Sequence, residues 1–369
     1  MGWGEPPFTV MLIIPTGIGA AIGGYAGDAL PVARAMASVC DCLITHPNVL
    51  NGAQLYWPLP QALYVEGYGL DQFAAGAWGL RPVRQNCIGL VFDQAIEPEL
   101  RLRHLQAADA ARATLGLSLT DAVITDAPLG VRLETAISGA TWGTIAHPDS
   151  LLRAVEAVIK REGATAIAVV ARFPDHPESA ALAHYRQGQG VDPLAGAEAV
   201  ISHLVVRTFG LPCAHAPALS PLPITPDLSP RAAAEELGYT FLPSVLAGLS
   251  RAPQFVRWPK TGLEPSHLQP QDLWRDQVNA LVVPESACGG SAVLHLNQTN
   301  TTLITVAENR TTMQADPATL KLTTIQTQTY LEALGVLVAL RAGIDPITLT
   351  TQVNPVACLH DVSHHSEAV

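Results

Sequence analysis

Basic residues are scarce in this sequence and never gather into a run: 21 Lys and Arg face 32 Asp and Glu across 369 residues, for a formal net charge of −11. That removes the electrostatic footprint by which proteins hold nucleic acid. Charge of either sign is thin, at 14 % against 48 % hydrophobic residues, so the chain has a sizeable core to bury and little that would stay disordered. Cysteine is sparse as well. Six residues, at 40, 42, 87, 213, 288 and 358, are scattered along the chain, which excludes a densely bridged secreted scaffold and fits reduced thiols in a cytoplasm. Cys40-Asp41-Cys42 has the wrong spacing for a C-x-x-C redox pair.

The start, Met-Gly-Trp-Gly-Glu-Pro-Pro, lacks the basic region of a secretory signal, so the sequons at Asn297, Asn300 and Asn309 read as chance matches. From Phe8 to Gly27 there is no charge, which is the length of a membrane span of about 20 residues. Its glycines and Pro15 instead fit a short buried strand followed by a loop whose backbone needs positive φ and close approach. The expected protein is therefore cytoplasmic, away from membrane and nucleic acid. Walker, G-x-S-x-G, H-E-x-x-H and kinase signatures are all missing, and the sequence names no cofactor.

What is present is an alternation of short apolar runs with longer amphipathic ones. Thr9 to Pro15 reads as a strand, Gly17 to Gly27 as a loop, Leu30 to Val39 as a helix and Cys42 to Thr45 as a strand. Further strands fall at Ile88–Asp93, Ala122–Thr125, Ala166–Ala171, Ala280–Val283 and Thr302–Val306, with helices over Glu99–Leu115, Ser150–Glu162 and Thr323–Ala342. This pattern predicts an α/β, Rossmann-like fold with a mostly parallel sheet flanked by helices. Prolines crowd residues 211–231, which marks a connection and suggests two lobes, 1–215 and 231–369, joined through 216–230. A helix is expected from Arg231, then a loop-rich stretch through Pro270. Whether the second lobe completes the first sheet is open, as is oligomeric state, homo-oligomers included.

In a parallel sheet the loops after the strands gather at one edge, where ligands bind. That logic brings together the first glycine loop, the turn after Thr45, Asp126, Arg172, the Cys288 loop and Glu308-Asn309-Arg310. The first loop, with Thr16, Gly17, Gly19, Gly23 and Gly24, fails as a dinucleotide fingerprint because Ile22 stands where the third glycine belongs and Thr45-His46 replaces the acidic ribose ligand. It remains a candidate anion cradle, weighed against a tight structural turn. Cys288 precedes Gly289 and Gly290. At a helix N-terminus it would be a nucleophile or acid/base; the competing reading is a small buried cysteine. Arg310 is positioned to clamp a carboxylate or phosphate, Asn309 to bind beside it, and Glu308 to move a proton or to pair at the surface. His46, followed by Asn48, is a general acid/base or a structural turn histidine. Asp192, His203 and His215 are ligand types without a compact metal spacing, and the tail His360-Asp361-Val362-Ser363-His364-His365 is a weak metal candidate; no metal site is assigned.

Several runs carry a resemblance: Pro15-Thr16-Gly17-Ile18-Gly19, Gly23-Gly24-Tyr25-Ala26-Gly27-Asp28-Ala29, Thr45-His46-Pro47-Asn48-Val49, Leu63-Tyr64-Val65-Glu66-Gly67, Gly190-Val191-Asp192-Pro193, Cys288-Gly289-Gly290 and Glu308-Asn309-Arg310-Thr311. Over nearly the whole chain the sequence resembles a conserved hypothetical family, mainly cyanobacterial and plastid, of unknown function. The resemblance implies the cytoplasm of a photosynthetic prokaryote and brings no catalytic residues. From the residues, the expected function is an enzyme of lyase, isomerase or hydrolase type acting on a small carboxylate or phosphate metabolite. The alternative is a metabolite-binding or regulatory protein, and a nicotinamide-dependent oxidoreductase comes third.

Overall fold

The computed structural model describes residues 6–25, 27–50, 57–175, 179–222, 224–237, 241–257, 268–351, 353 and 355–356. The histidine-bearing tail at 360–365 lies outside them. The strands in chain order are β1 (Thr9–Leu12), β2 (Cys42–Thr45), β3 (Ala62–Tyr64), β4 (Trp78–Arg81), β5 (Cys87–Phe92), β6 (Ser118–Ile124), β7 (Val131–Thr135), β8 (Thr141–Ile145), β9 (Ala166–Arg172), β10 (Cys213–Ala218), β11 (Gln254–Arg257), β12 (Val278–Pro284), β13 (Thr302–Val306) and β14 (Ile325–Thr327). Two parallel sheets organise them. One has the order β14-β13-β12-β1-β2-β3, the other β10-β9-β5-β6. Two antiparallel pairs, β4–β11 and β7–β8, complete the set. The α/β reading with parallel sheets flanked by helices holds.

The first sheet takes β1–β3 from one end of the sequence and β12–β14 from the other, so strands from both sides of the proline-rich connection share it. The second sheet is built from the middle of the chain. Alternation along each strand assigns the faces. Val10 and Leu12 point into one buried cluster with Ile88, Leu90, Phe92, Ala166, Ala168 and Val170 of the second sheet. Met11, Ile44, Leu281 and Val283 point the opposite way, against Leu70, Phe73, Ala292 and Val293. Val91, Ile167 and Val169 face the helices Pro148–Glu162 and Ala195–Phe209. Both of these helices end at a glycine with left-handed φ, Gly163 at 69° and Gly210 at 66°, where a side chain would be strained.

Three local expectations are corrected. Within the proline-rich stretch, Cys213–Ala218 forms β10, with Pro217 opposite Ala171. A proline is tolerated there because β10 is an edge strand whose outer N–H positions need no partner. Phe241–Ser250 is a helix, not loop. It is buried along its length between the sheets, so it has no polar face and lacks the periodicity that betrays a surface helix. The helix expected over Thr323–Ala342 begins only at Tyr330. Before it, Ile325–Thr327 adds β14 to the sheet, and the Thr329 hydroxyl accepts from the Glu332 N–H to cap the helix.

Candidate functional site

In the first sheet the chain runs outward from β1 through β2 to β3, and from β12 through β13 to β14 on the other side. Strand order thus reverses between β1 and β12, and the loops after these two strands part to leave a crevice. A cavity of about 310 Å³ lies there. Pro15 and Thr16 after β1, His46 to Asn48 after β2, Glu66, Gly67, Leu70 and Asp71 beyond β3, and Gly290 to Val293 after β12 form its walls. Helix Ala195–Phe209 and β10 close it from the second sheet with Glu198, Ser202, His203 and His215.

Glu66 is the N-cap of helix Gly67–Ala74, its Oε2 accepting from the N–H of Tyr68 at 2.8 Å and of Gly69 at 3.4 Å. The positive helix end and these two donors hold a carboxylate in a place otherwise hostile to it. Its other oxygen meets His203 Nδ1 in an ion pair. The Glu66 side chain is only 4 % exposed and that of His203 43 %, so the imidazole is the open member of the pair and the carboxylate stands behind it. Burial pulls the His203 pKa down, but Glu66 and then Asp71 outweigh it and hold the ring above its ordinary value. Asp71, whose Oδ1 accepts from the Ala292 N–H at 3.1 Å, is itself raised by burial.

A second polar group faces the first. Ser202 Oγ lies 3.2 Å from His215 Nδ1, and His215 Nε2 lies 3.6 Å from Glu198 Oε2. Beneath it, Asp192 is pushed up to about 8 by burial and by the neighbouring Glu198 carboxylate. Among the described residues no three His, Cys, Asp or Glu converge as metal ligands, although His203 and His215 share the cavity. Among the described residues the wall holds three carboxylates, Glu66, Asp71 and Glu198, and neither Lys nor Arg.

The glycine loop contributes shape. A Cβ on Gly17 would lie 2.8 Å from Thr141 Oγ1, on Gly23 2.6 Å from Ile14 Cγ2, and on Gly24 2.4 Å from the Ala20 carbonyl oxygen. Gly19 packs as closely on Val191. The N–H groups of Ala21, Ile22 and Gly23 are taken by Arg310 O, Asn309 Oδ1 and Asp28 Oδ1, so this half of the loop is bound internally and cannot serve as an anion cradle. Thr16 and Asn48 reach the cavity, Asn48 Nδ2 also donating to the Gly23 carbonyl at 2.7 Å.

His46 lines the cavity but is spent on structure: its Nε2 accepts from the Ile14 N–H at 3.1 Å, and burial lowers its pKa to about 4. The ring is therefore neutral with its proton on Nδ1. The unfolded chain binds this proton near the ordinary value of 6.5, the folded chain only near 4, so stability is lost as pH falls through that window. Asp192 acts in the opposite sense, its contribution falling as pH rises toward 8. A comparison with His46→Gln, which keeps an acceptor for Ile14, isolates the histidine. Urea unfolding at pH 7 and pH 4.5 is expected to show the wild type losing about 2 kcal/mol more than the variant; equal losses would mean the ring is not held neutral.

Cys288 is fully buried and outside the cavity wall. Its thiol donates to the Glu285 carbonyl at 3.4 Å, and burial followed by the Glu285 and Asp316 charges pushes its pKa up to about 11. The following helix starts at Ser291 with Gly290 as its cap, so the thiol misses the helix end that would have favoured a thiolate. Iodoacetamide at neutral pH should leave Cys288 untouched in the folded protein while alkylating it fully in urea, as read by peptide mass spectrometry. Rapid modification of the folded protein would restore a reactive thiol. Gly289 is exposed and Gly290 borders the cavity.

Glu308, Asn309 and Arg310 do not reach it either. Glu308 Oε1 accepts from the Tyr330 N–H at 3.0 Å, closing the start of helix Tyr330–Arg341. Asn309 is buried and binds both backbone groups of Ile22. The Arg310 side chain is exposed. Asp126 and Arg172 leave strands of the second sheet, where Asp126 pairs with Arg153, and Arg172 with Glu97 and Asp175. The residues that sequence reasoning missed are Asp71, Glu198 and Ser202, together with the role of Glu66. Glu66 and Asp192 stood inside the family-like runs, and the helical spacing of Glu198 and Ser202 is the one signal that could have paired the other two.

A family model described as "Protein of unknown function (DUF3326)" matches residues 9–350. The chain belongs to this family. An uncharacterized lipoprotein from Synechococcus sp. is 61 % identical over 342 residues, covering 93 % of each chain. The DUF3326 assignment agrees with the resemblance read from the sequence, and the relative is cyanobacterial. No solved structure matches. Among the described residues no helix is long and apolar enough to cross a membrane.

Proposed function

We propose that this DUF3326 protein is an enzyme that moves protons on a small polar metabolite held in the cavity between the two sheets. The observation that carries the reading is the Glu66–His203 pair: a buried carboxylate behind a half-exposed imidazole, opening on a space of about 310 Å³. Such pairs keep a histidine oriented and basic enough to act as general acid or base. Lyase, isomerase and hydrolase chemistry all use one. The sequence pointed to a carboxylate or phosphate substrate gripped by Arg310, but Arg310 is outside the wall and three carboxylates are inside it. Charge favours a neutral or amine-bearing metabolite.

The test is a thermal-shift screen of small hydroxylated, amine-bearing and anionic metabolites, followed by NMR of each hit over hours. A ligand that raises Tm and is converted supports the enzyme; a ligand that binds and persists unchanged makes the protein a metabolite sensor. A screen in which only anions bind overturns the charge argument. The reading also keeps the protein in the cytoplasm. The Synechococcus relative carries the word lipoprotein in its name, and incorporation of labelled palmitate into this chain would replace the cytoplasmic assignment with a membrane-anchored one.

A further inference from the structure

Helix Ala195–Phe209 sets Glu198 and Ser202 one turn apart on the same face, and β10 brings His215 against both. The imidazole uses its two nitrogens differently. Nε2 faces Glu198 Oε2 at 3.6 Å, and Nδ1 faces Ser202 Oγ at 3.2 Å. At 3.6 Å the Glu198 carboxylate stands beyond hydrogen-bond reach of Nε2, but its negative charge favours the tautomer with the ring proton on that nitrogen, which leaves the Nδ1 lone pair toward the serine hydroxyl. Among the described residues the other acceptor within reach of that hydroxyl is the Ala199 carbonyl, at 3.5 Å, the limit of a hydrogen bond. All three side chains line the cavity, and all three sit on a helix and a strand packed by buried Ile201, Val205 and Ala214. This is the order of roles in which a carboxylate fixes a histidine tautomer and the histidine deprotonates a hydroxyl.

We propose that Ser202, His215 and Glu198 act as nucleophile, base and orienting carboxylate, and that the cavity performs acyl transfer on a small ester or amide. The inference rests on the cavity being catalytic and names its substrate class. Ser202 Oγ bonds the acyl carbon as its proton passes to His215 Nδ1. The bond from that carbon to the leaving oxygen or nitrogen then breaks, and the alcohol or amine departs with the proton from His215. Water enters, gives its proton to His215, attacks the acyl-serine and releases the acid, and the proton returns to Ser202.

Diisopropyl fluorophosphate, which phosphorylates an activated serine with loss of fluoride, tests this on the full chain without knowledge of the substrate. Peptide mass spectrometry should find a single adduct, on Ser202. Ser202→Ala, a change that adds no bulk, should abolish it. His215→Gln and Glu198→Gln should each slow labelling by about 10⁴-fold or more, the scale on which such groups act. Absence of an adduct, an adduct on Ser291 instead, or labelling unchanged in His215→Gln overturns the proposal; should the variants misfold, the adduct map of the wild type still decides. A metabolite turned over equally by Ser202→Ala and the wild type, but lost in His203→Gln, removes the nucleophile and keeps proton transfer at His203.

Discussion

His203→Gln lowers kcat on the metabolite identified by screening by about 10²- to 10⁴-fold while KM stays within a few-fold, the loss expected when a general acid or base is removed from a site that still binds. Glutamine keeps the size and hydrogen bonding of the ring and loses only the capacity to change protonation state. The companion variant reads the cause. Glu66→Gln retains an acceptor for the Tyr68 N–H that now holds Glu66 Oε2 at 2.8 Å, so the helix keeps its cap, but the negative charge behind the imidazole is gone. His203, held above its ordinary value by that charge against the pull of burial, drops in pKa. If His203 works as an acid, the alkaline limb of the rate profile moves to lower pH in Glu66→Gln; if it works as a base, the acidic limb does so. A profile that does not move, or a kcat equal to that of the wild type in His203→Gln, removes the pair from the mechanism.

The strands that place this pair were readable because each is short, apolar and followed by a loop. Cys42–Thr45 and Thr302–Val306 appear as expected from the sequence, and the strands of the first sheet are parallel as inferred. Which side chains turn into the crevice was harder to read. Cys288, Glu308 and Arg310 have the chemistry of a site, but a loop residue one position either way faces the core or the solvent, and periodicity does not extend into loops. Glu66 passed unnoticed because a single carboxylate before a glycine has the look of a surface turn; only the buried helix end sets it behind His203. Glu198 and Ser202 are polar residues on a helix with apolar neighbours on other faces, and they acquire meaning from His215, which reaches them from a different strand. Contacts between elements far apart in sequence leave no local trace.

Asn309→Ala is expected to destabilise the fold by about 4 kcal/mol, because it orphans the buried Tyr330 hydroxyl and two part-buried backbone groups at about 1–3 kcal/mol each and water filling the space restores part of the loss. Asn309 Oδ1 accepts from the Ile22 N–H at 2.9 Å, and its Nδ2 donates to the Ile22 carbonyl at 2.8 Å and to Tyr330 Oη at 2.6 Å. One amide thus satisfies both backbone groups of a loop residue, as a neighbouring strand would, and fastens the first loop to the end of β13. Asn309→Asp keeps the acceptor but loses both donated bonds and buries a charge, so it should be at least as damaging. The consequence extends to the site. The same loop carries Pro15 and Thr16 into the cavity, and Gly23 anchors Asn48, so ligand affinity falls in Asn309→Ala although Asn309 is not part of the wall. Urea unfolding measures the first effect and ligand-induced thermal shift the second. A variant within about 0.5 kcal/mol of wild type, the range of ordinary surface substitutions, would show that the latch does not hold the loop; lost stability with unchanged affinity would show that the loop does not shape the cavity.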